Sequence, residues 1–243
     1  SMTFDDMILK IKEKDTVTLI YTSGTTGVPK GVALSHKNLM SNVEATLKAA
    51  DFTDNETFLS FLPLSHVLER MGGHFTAFCV GAKIYYSENI EKVSDNLLET
   101  HPTIVVCVPR LFEKMYSKIV IGLKGAPKIK RVLFKWAIFV GKQYSDLKLK
   151  NINIPTLLKI KHKIANKLIY SKIKDKLGGR IKFFVSGGAP LSKEIAEFFA
   201  SVDITILEGY GLTETSPVLT VNSPITGIRY GTVGKPLFNV EIK

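Results

Sequence analysis

The chain has 243 residues, enough for one large domain or two small ones and for a sizeable core. Hydrophobic residues make up 45% of it and charged residues 23%, which is typical of a folded globular protein, and no apolar run is long enough to span a membrane. The formal net charge is +11. Cys79 and Cys107 lack metal-ligand spacing, which indicates two buried free thiols rather than a zinc site.

The first part of the chain alternates between predicted strands and helices. The β-branched run at 17–21 predicts a buried strand, and Ser35 is predicted to cap a helix from His36 to about Ala50. Further strands are predicted at 57–62, 83–86 and 104–108, and further helices at 66–80, 90–100 and 109–121. This alternation predicts an α/β fold, layered, with a largely parallel sheet and flanking helices.

A basic segment follows, predicted to be helical. Between Arg110 and Lys182 there are 20 Lys and Arg residues but only three acidic residues. One helix has an apolar stripe at helical spacing: Ile129, Val132, Leu133, Trp136, Phe139 and Val140. A second helix, predicted from about 155 to 177, carries Ile160, Ile164 and Leu168 on one side.

Two interpretations of this basic segment stay open. Its lysines form a solvated face whose apolar stripe belongs to the core, or the segment is an interfacial surface for peripheral contact with a membrane. Nucleic acid is not an expected partner, because no RRM, helix-turn-helix or zinc-finger signature is present. After Gly178–Gly179 the alternation resumes with a strand at 181–185, a helix at 192–201 and a strand at 204–207.

The stretch YTSGTTGVPKG, residues 21–31, follows the first predicted strand. A bound phosphate chain needs hydroxyl and backbone N–H donors at close range together with a cation. The stretch supplies hydroxyls, adaptable backbone and a positive charge through Ser23, Gly24, Thr25, Thr26, Gly27 and Lys30. It is not a Walker loop, because Pro29-Lys30-Gly31 stands where that loop needs Gly-Lys-Ser/Thr. Taken alone, the stretch also fits a polar surface turn.

A second motif, SGGAP at 186–190, comes directly after a predicted strand. Small residues at the carboxyl end of a strand let a flat ring or an acyl group lie against the backbone, and ligands of open α/β sheets favour this edge. A plain strand-to-helix turn is the alternative.

A third motif, EGYGLTET at 208–215, also follows a strand. Tyr210 offers an aromatic face for a base, Thr213 a hydroxyl, and Glu214 a hard oxygen ligand suited to Mg²⁺ that is bound together with phosphates. A loop with a solvated carboxylate would have the same composition.

The three motifs, in this order and each at the end of a strand, resemble those of the adenylate-forming superfamily of acyl-CoA synthetases, peptide-synthetase adenylation domains and luciferases. Within it the chain is most similar to long-chain fatty-acid–CoA ligases: FLPLSHVLER at 61–70 resembles their LPLxHxxER segment, VPRLFE at 108–113 is similar to theirs, and VGKP at 233–236 resembles the strand before their small β-barrel. The resemblance covers Thr16 to about Lys243.

The resemblance implies a role for each matching position. The loop from Ser23 to Lys30, including Gly24, Thr25, Thr26 and Gly27, holds the β- and γ-phosphates. Gly188, Ala189, Gly209, Tyr210, Gly211 and Thr213 border the rest of the nucleotide. His66 and Gly187 border the acyl carboxylate, while Ser23 and Glu214 hold Mg²⁺. The predicted catalytic residues are Lys30, His66, Thr213 and Glu214.

The resemblance also implies how the chain is organised. Residues 1–50 are expected to form the end of a first α/β subdomain with the phosphate loop, 51–222 a second α/β subdomain with a basic helical insert at about 110–180, and 223–243 the start of a β-rich subdomain. The family's ribose-binding Asp and its C-terminal domain with a catalytic Lys have no counterpart here. We therefore expect a central fragment of the large N-terminal domain of such an enzyme.

The implied activity is ATP-dependent conversion of a long-chain fatty acid into acyl-adenylate and then acyl-CoA, with ATP, Mg²⁺ and coenzyme A. We expect a cytoplasmic protein and little or no turnover by the fragment alone. Two alternatives stay open: a nucleotide-binding fragment without catalysis, and a fatty-acyl-AMP ligase that does not use coenzyme A.

Overall fold

The computed structural model describes residues 5, 8–22 and 28–243. Its main feature is a seven-stranded sheet in the order β4-β3-β5-β6-β7-β8-β9, in which the first five strands are parallel and the last three are joined by antiparallel pairings. The strands are β3 (Thr57–Ser60), β4 (Lys83–Tyr86), β5 (Ile104–Cys107), β6 (Phe183–Ser186), β7 (Ile206–Gly211), β8 (Val218–Val221) and β9 (Lys235–Pro236). The prediction of a layered α/β fold with a largely parallel sheet is confirmed.

A separate antiparallel hairpin precedes this sheet. It pairs β1 (Thr16–Thr22) with β2 (Lys30–Ser35). Strand β2 was not predicted from the sequence, which placed no strand between the one at 17–21 and the helix that begins at His36. Since Thr22 pairs with Lys30, the two ends of the stretch lie side by side.

Helices flank the sheet on both sides. They are α1 (His36–Leu47), α2 (Leu68–Phe75 with π geometry, continued by Thr76–Cys79), α3 (Val93–Thr100), α4 (Pro109–Lys124), α5 (Lys128–Leu149), α6 (Thr156–Ala165, continued by Asn166–Tyr170 and Ser171–Asp175) and α7 (Lys193–Ser201). Ser35 caps α1 as predicted: its Oγ accepts from the Asn38 amide at 3.2 Å, and the Asn38 Oδ1 accepts from the Ser35 amide at 3.0 Å.

The largest core cluster lies on one face of the sheet, under the basic helices. Phe112 of α4 contacts Phe184 of β6 and Phe199 of α7 edge to face, with ring centroids 5.4 and 5.6 Å apart, and all three rings are fully buried. Such aromatic contacts stabilise a core beyond the burial of apolar area alone. The opposite face carries a smaller cluster that includes Phe58, Ile104 and Phe183.

One further expectation needs correction. Cys107 is buried as expected, but Cys79, at the end of α2, is exposed. The apolar stripe of α5, for which two interpretations stood open, is not core along its length, because Ile129 is 81% exposed and Val132 60% exposed. In the described part of the chain, no helix has the length and apolar character to cross a membrane.

The packing of α5 explains why its apolar stripe is partly exposed. Its buried residues are Ala137, Val140 and Gly141. A Cβ placed on Gly141 would lie 1.8 Å from the carbonyl oxygen of Ser201. Helix α5 therefore approaches the end of α7 more closely than it could with any residue other than glycine at position 141. The helix therefore packs through its small residues, and the face with the large apolar residues is turned partly outward.

Candidate active site

A cavity of about 460 Å³ lies against the sheet face that is opposite the larger core cluster. Its walls include alternate residues of neighbouring strands, Ile104 and Val106 from β5 and Phe183 and Val185 from β6. Alternate strand residues point to the same face of a sheet. The cavity therefore extends along the strands from their first residues to their carboxyl ends, a span of roughly 10 Å.

The interior of the cavity is apolar. Phe58, Met71 and Leu207 contribute to its wall, and Phe52 contacts Phe183 edge to face at a centroid distance of 5.7 Å. Gly72 of α2 also lines it, and a Cβ at this position would lie 3.8 Å from the Val106 side chain, an ordinary contact distance. This part of the cavity suits a hydrocarbon chain, because it offers apolar area and few groups that need hydrogen bonds.

The other end of the cavity is polar and brings the three sequence motifs together. Predicted site residues that line it are Lys30, His66, Gly187, Gly188, Gly209, Tyr210, Gly211, Thr213 and Glu214. They come from the start of β2, the approach to α2, the turn after β6, strand β7 and the short helical turn Thr213–Thr215. Residues far apart in the chain thus converge at the carboxyl edge of the sheet, where α/β proteins bind ligands.

Some predicted site residues are not placed at the cavity. Ser23, Gly24, Thr25, Thr26 and Gly27 lie outside the described residues. The residues on either side of them, Thr22 and Lys30, both line the cavity. Ala189 is exposed and is not among the lining residues.

The turn after β6 is held by a buried carboxylate. Glu208 is 6% exposed, and its Oε1 accepts a hydrogen bond from the Leu191 amide at 2.9 Å. Gly188 has φ of +80°, a conformation that favours glycine. Glu208 and Gly188 together keep the SGGAP backbone open toward the cavity, in agreement with a site for a flat ring or a carboxyl group.

Two side chains at the mouth differ in how firmly they are oriented. The His66 Nδ1 accepts a hydrogen bond from the Leu68 amide at 3.2 Å, which leaves Nε2 as the nitrogen available to a ligand. Tyr210 is 48% exposed, so one face of its ring is available for stacking. Glu214 is also exposed and offers its carboxylate at the cavity.

Two buried hydroxyl groups at the cavity lack partners. The Oγ of Ser186 and the Oγ1 of Thr46 are buried and make no hydrogen bond to any described residue, and both residues line the cavity. Such groups are costly to leave unpaired, so they are available to a polar group of a ligand. Ser186 was part of the predicted SGGAP motif without a role of its own.

Sequence reasoning missed Glu69, which lies fully buried in α2. Neither carboxyl oxygen has a hydrogen-bond partner among the described residues, and burial raises the pKa of Glu69 to about 7. The Ser60 hydroxyl lowers that pKa only in part, and its contact with the carboxyl falls outside hydrogen-bond geometry. A Cβ on Gly73 would lie 2.3 Å from the Glu69 Oε1, so Gly73 makes room for the carboxyl. Glu69 belongs to the FLPLSHVLER segment at 61–70, whose resemblance was noted above, but no role was assigned to it there.

Comparison with known proteins agrees with this geometry. The family described as "AMP-binding enzyme" matches residues 5–243. The chain is 36% identical over 233 residues to the peroxisomal long chain acyl-CoA synthetase 6 of Arabidopsis thaliana, covering 96% of this chain and 32% of that protein. It is also 36% identical over 225 residues to the human long-chain-fatty-acid–CoA ligase ACSBG2, covering 90% of this chain and 33% of the relative. The chain thus spans about a third of the length of these relatives.

Solved structures share the fold. The N-terminal domain of FACL13 from Mycobacterium tuberculosis superposes with a TM-score of 0.63 at 19% identity, covering 94% of this chain and 45% of that one. ATP-bound MatB from Rhodopseudomonas palustris superposes with a TM-score of 0.60 at 24% identity, covering 93% and 35% of the two chains. With the family match across residues 5–243 and the convergence of the three motifs on one cavity, the chain belongs to the AMP-binding enzyme family.

Proposed function

We propose that this chain forms the ATP- and acyl-binding core of an enzyme that activates long-chain fatty acids. In the first step a carboxylate oxygen of the fatty acid attacks the α-phosphorus of ATP, the bond to pyrophosphate breaks, and acyl-adenylate forms. In the second step the thiolate of coenzyme A attacks the acyl carbon and AMP leaves.

The observation that carries this proposal is the division of one cavity into a polar mouth and an apolar interior. Lys30, Thr213 and Glu214 stand at the mouth, while Phe58 and Ile104 line the interior. A substrate that joins an adenosine phosphate to a hydrocarbon chain has the same two parts. The names of the curated relatives support the choice of a long-chain acid.

The chain's own residues supply positioning and charge. In this proposal Lys30 neutralises phosphate oxygens and Thr213 donates its hydroxyl to them, which is supported by the presence of both residues in the cavity lining. In this proposal Gly187 and the His66 Nε2 hold the acyl carboxylate and Tyr210 stacks on adenine, which is supported by their position at the cavity mouth and by the free Nε2. Fixed donors and a fixed cation lower the barrier because they need no reorganisation as charge moves to pyrophosphate.

Mg²⁺ fits the site if the phosphates of the nucleotide supply part of its ligands. In the described ranges, no three His, Cys, Asp or Glu side chains form a metal cluster, so the ion would take most of its ligands from phosphates and water. Glu214 is the acidic residue at the cavity mouth, and Ser23 is proposed as the second protein ligand. When bound, the ion neutralises phosphate charge.

The proposal is tested with unreactive acyl-adenylate mimics, which bind without turnover. Isothermal titration should show that a long-chain acyl mimic binds the chain at least about tenfold more tightly than the acetyl mimic, because the longer chain buries apolar area in the cavity. Equal affinities would contradict the acyl assignment, and absence of binding by every mimic would contradict the nucleotide site. In the full-length enzyme, acyl-CoA formation then separates an acyl-CoA ligase from an acyl-AMP ligase, because both would catalyse pyrophosphate exchange.

A further inference from the structure

We propose that the outward groove between α5 and α6 is a docking surface for an anionic lipid membrane. The groove is lined by Ile129, Val132, Leu133 and Trp136 from α5 and by Ile164 and Leu168 from α6. It lies on the basic helices, apart from the cavity described above. The inference does not depend on the proposed reaction.

The apolar character of this groove is unusual for a protein surface. Ile129 is 81% exposed, Val132 60% and Ile164 47%. Single exposed apolar side chains need no explanation, but a contiguous apolar patch on a soluble surface marks a contact site. These exposed fractions show that the described part of the chain leaves all three side chains largely uncovered.

The charge around the groove selects the partner. Lys128 is the charged residue of the lining itself, and Lys130, Arg131 and Lys135 belong to the same two turns of α5. Among the described residues, none of these four cations lies within 4 Å of a carboxylate. A second protein would have to supply both an apolar ridge and many acidic groups. An anionic lipid surface supplies both properties without a specific shape.

Trp136 lines the groove and is partly buried against the larger core cluster, and indole rings favour the boundary between headgroups and hydrocarbon. Helices that lie in the plane of a membrane surface combine an apolar face with flanking Lys and Arg residues. Both α5 and α6 have this arrangement, since the exposed Ile160 and Leu157 continue the apolar side of α6 beyond the groove.

Trp136 is also the only tryptophan of the sequence, so its fluorescence reports on this groove alone. The experiment adds vesicles of phosphatidylcholine, with or without phosphatidylserine, to the chain and follows tryptophan emission and co-sedimentation. Anionic vesicles should shift the emission to shorter wavelength and pellet the protein, and neutral vesicles should do neither. Replacing Lys130 and Arg131 by Gln should weaken binding by about fivefold per charge removed.

The groove variant I129E/V132E should weaken vesicle binding by more than about tenfold, because it removes apolar area and adds negative charge. The matched control L98E/I225E makes the same change of charge at two exposed apolar positions outside the basic segment and should bind like the original chain. All four replaced side chains are exposed, so circular dichroism should show unchanged folding.

Three results would overturn the proposal. The first is equal binding to anionic and neutral vesicles, and the second is a groove variant that binds like the control. The third is a dimer in sedimentation velocity that I129E/V132E disrupts, which would assign the groove to a second copy of the chain.

Discussion

The side chain of Asn42 makes two hydrogen bonds to the backbone of Val218, a residue 176 positions later in the chain. Its Nδ2 donates to the Val218 carbonyl oxygen at 2.8 Å, and its Oδ1 accepts from the Val218 amide at 3.0 Å. Asn42 lies in α1, directly after the hairpin that carries Lys30, and Val218 begins β8, directly after the turn that carries Glu214. This one amide therefore joins two distant parts of the chain that both supply residues to the cavity mouth.

Asn42→Ala should lower the free energy of unfolding by about 2 kcal/mol, because two hydrogen bonds are lost and backbone groups beside a buried site are left unpaired. Urea denaturation followed by circular dichroism measures this. Asn55→Ala, at an exposed asparagine, is the matched control and should change stability by less than about 0.5 kcal/mol. Equal stabilities of the two variants would show that the Asn42 contact contributes nothing.

Glu69 should make stability depend on pH. Because burial raises the pKa of Glu69 to about 7 in the folded protein, against an ordinary value of 4.5, the folded state holds its proton more tightly than the unfolded state. The protonated Glu69 carboxyl therefore makes its full contribution to the free energy of unfolding below the ordinary pKa of 4.5. This contribution is lost as the pH rises through the folded-state pKa of about 7. The loss from about pH 5 to about pH 8 should be about 2–3 kcal/mol.

Glu69→Gln keeps a neutral side chain at every pH and should remove that loss, so the variant should be more stable than the original chain at about pH 8. Urea titrations at both pH values measure this difference. Glu88→Gln, at an exposed position, should follow the pH dependence of the original chain. Parallel pH profiles for Glu69→Gln and the original chain would rule out this carboxyl as the source.

Glu214→Gln should abolish the effect of Mg²⁺ on ATP binding, because the amide is a poorer ligand for a hard cation than the carboxylate. Titration of the nucleotide with and without Mg²⁺ measures this. Any pyrophosphate exchange should fall by a factor of about 10²–10³. Stability should stay within about 0.5 kcal/mol because Glu214 is exposed.

Glu91→Gln serves as the control for Glu214, since it removes an exposed carboxylate away from the cavity. A Glu214→Gln variant whose ATP affinity still responds to Mg²⁺, or whose pyrophosphate exchange is close to normal, would refute the metal assignment.

Gly72→Leu should block the apolar interior of the cavity. Its Cβ fits, at 3.8 Å from Val106, and the rest of the side chain would occupy the space assigned to the acyl chain. Affinity for a long-chain acyl-adenylate mimic should fall by at least about tenfold, and affinity for AMP should not change. Gly122→Leu makes the same change in α4, where nothing lies within 4 Å, and should leave both affinities as they were.

Local pattern predicted much of the fold. β-Branched runs indicated β1 and β5, the cap at Ser35 indicated the start of α1, and Pro109 the start of α4. These signals act within a few residues of the position that they determine. The prediction that β1 is a buried strand was wrong, because Leu19 is 61% and Tyr21 71% exposed. Strand β2 was missed because its residues, Lys30–Ser35, have no strand-like run of β-branched side chains and follow a stretch rich in glycine.

The order of the three motifs could also be read from the sequence, and it predicted a nucleotide site. That order alone said nothing about Asn42, about the unpaired hydroxyls of Thr46 and Ser186, or about the solitary carboxyl of Glu69. Each of these depends on which distant groups come close and which do not, and hydrogen-bond partners are a property of the packed structure.

Amino-acid order thus determined where strands and helices form and which chemical groups stand at strand ends, because backbone preference and side-chain period act locally. Only the tertiary structure decided which face of each element is covered. Helix α5 shows the reason: its large apolar residues predicted a buried side, yet the small residues Ala137 and Gly141 allowed the closest approach to α7, and Ile129 and Val132 were left outside.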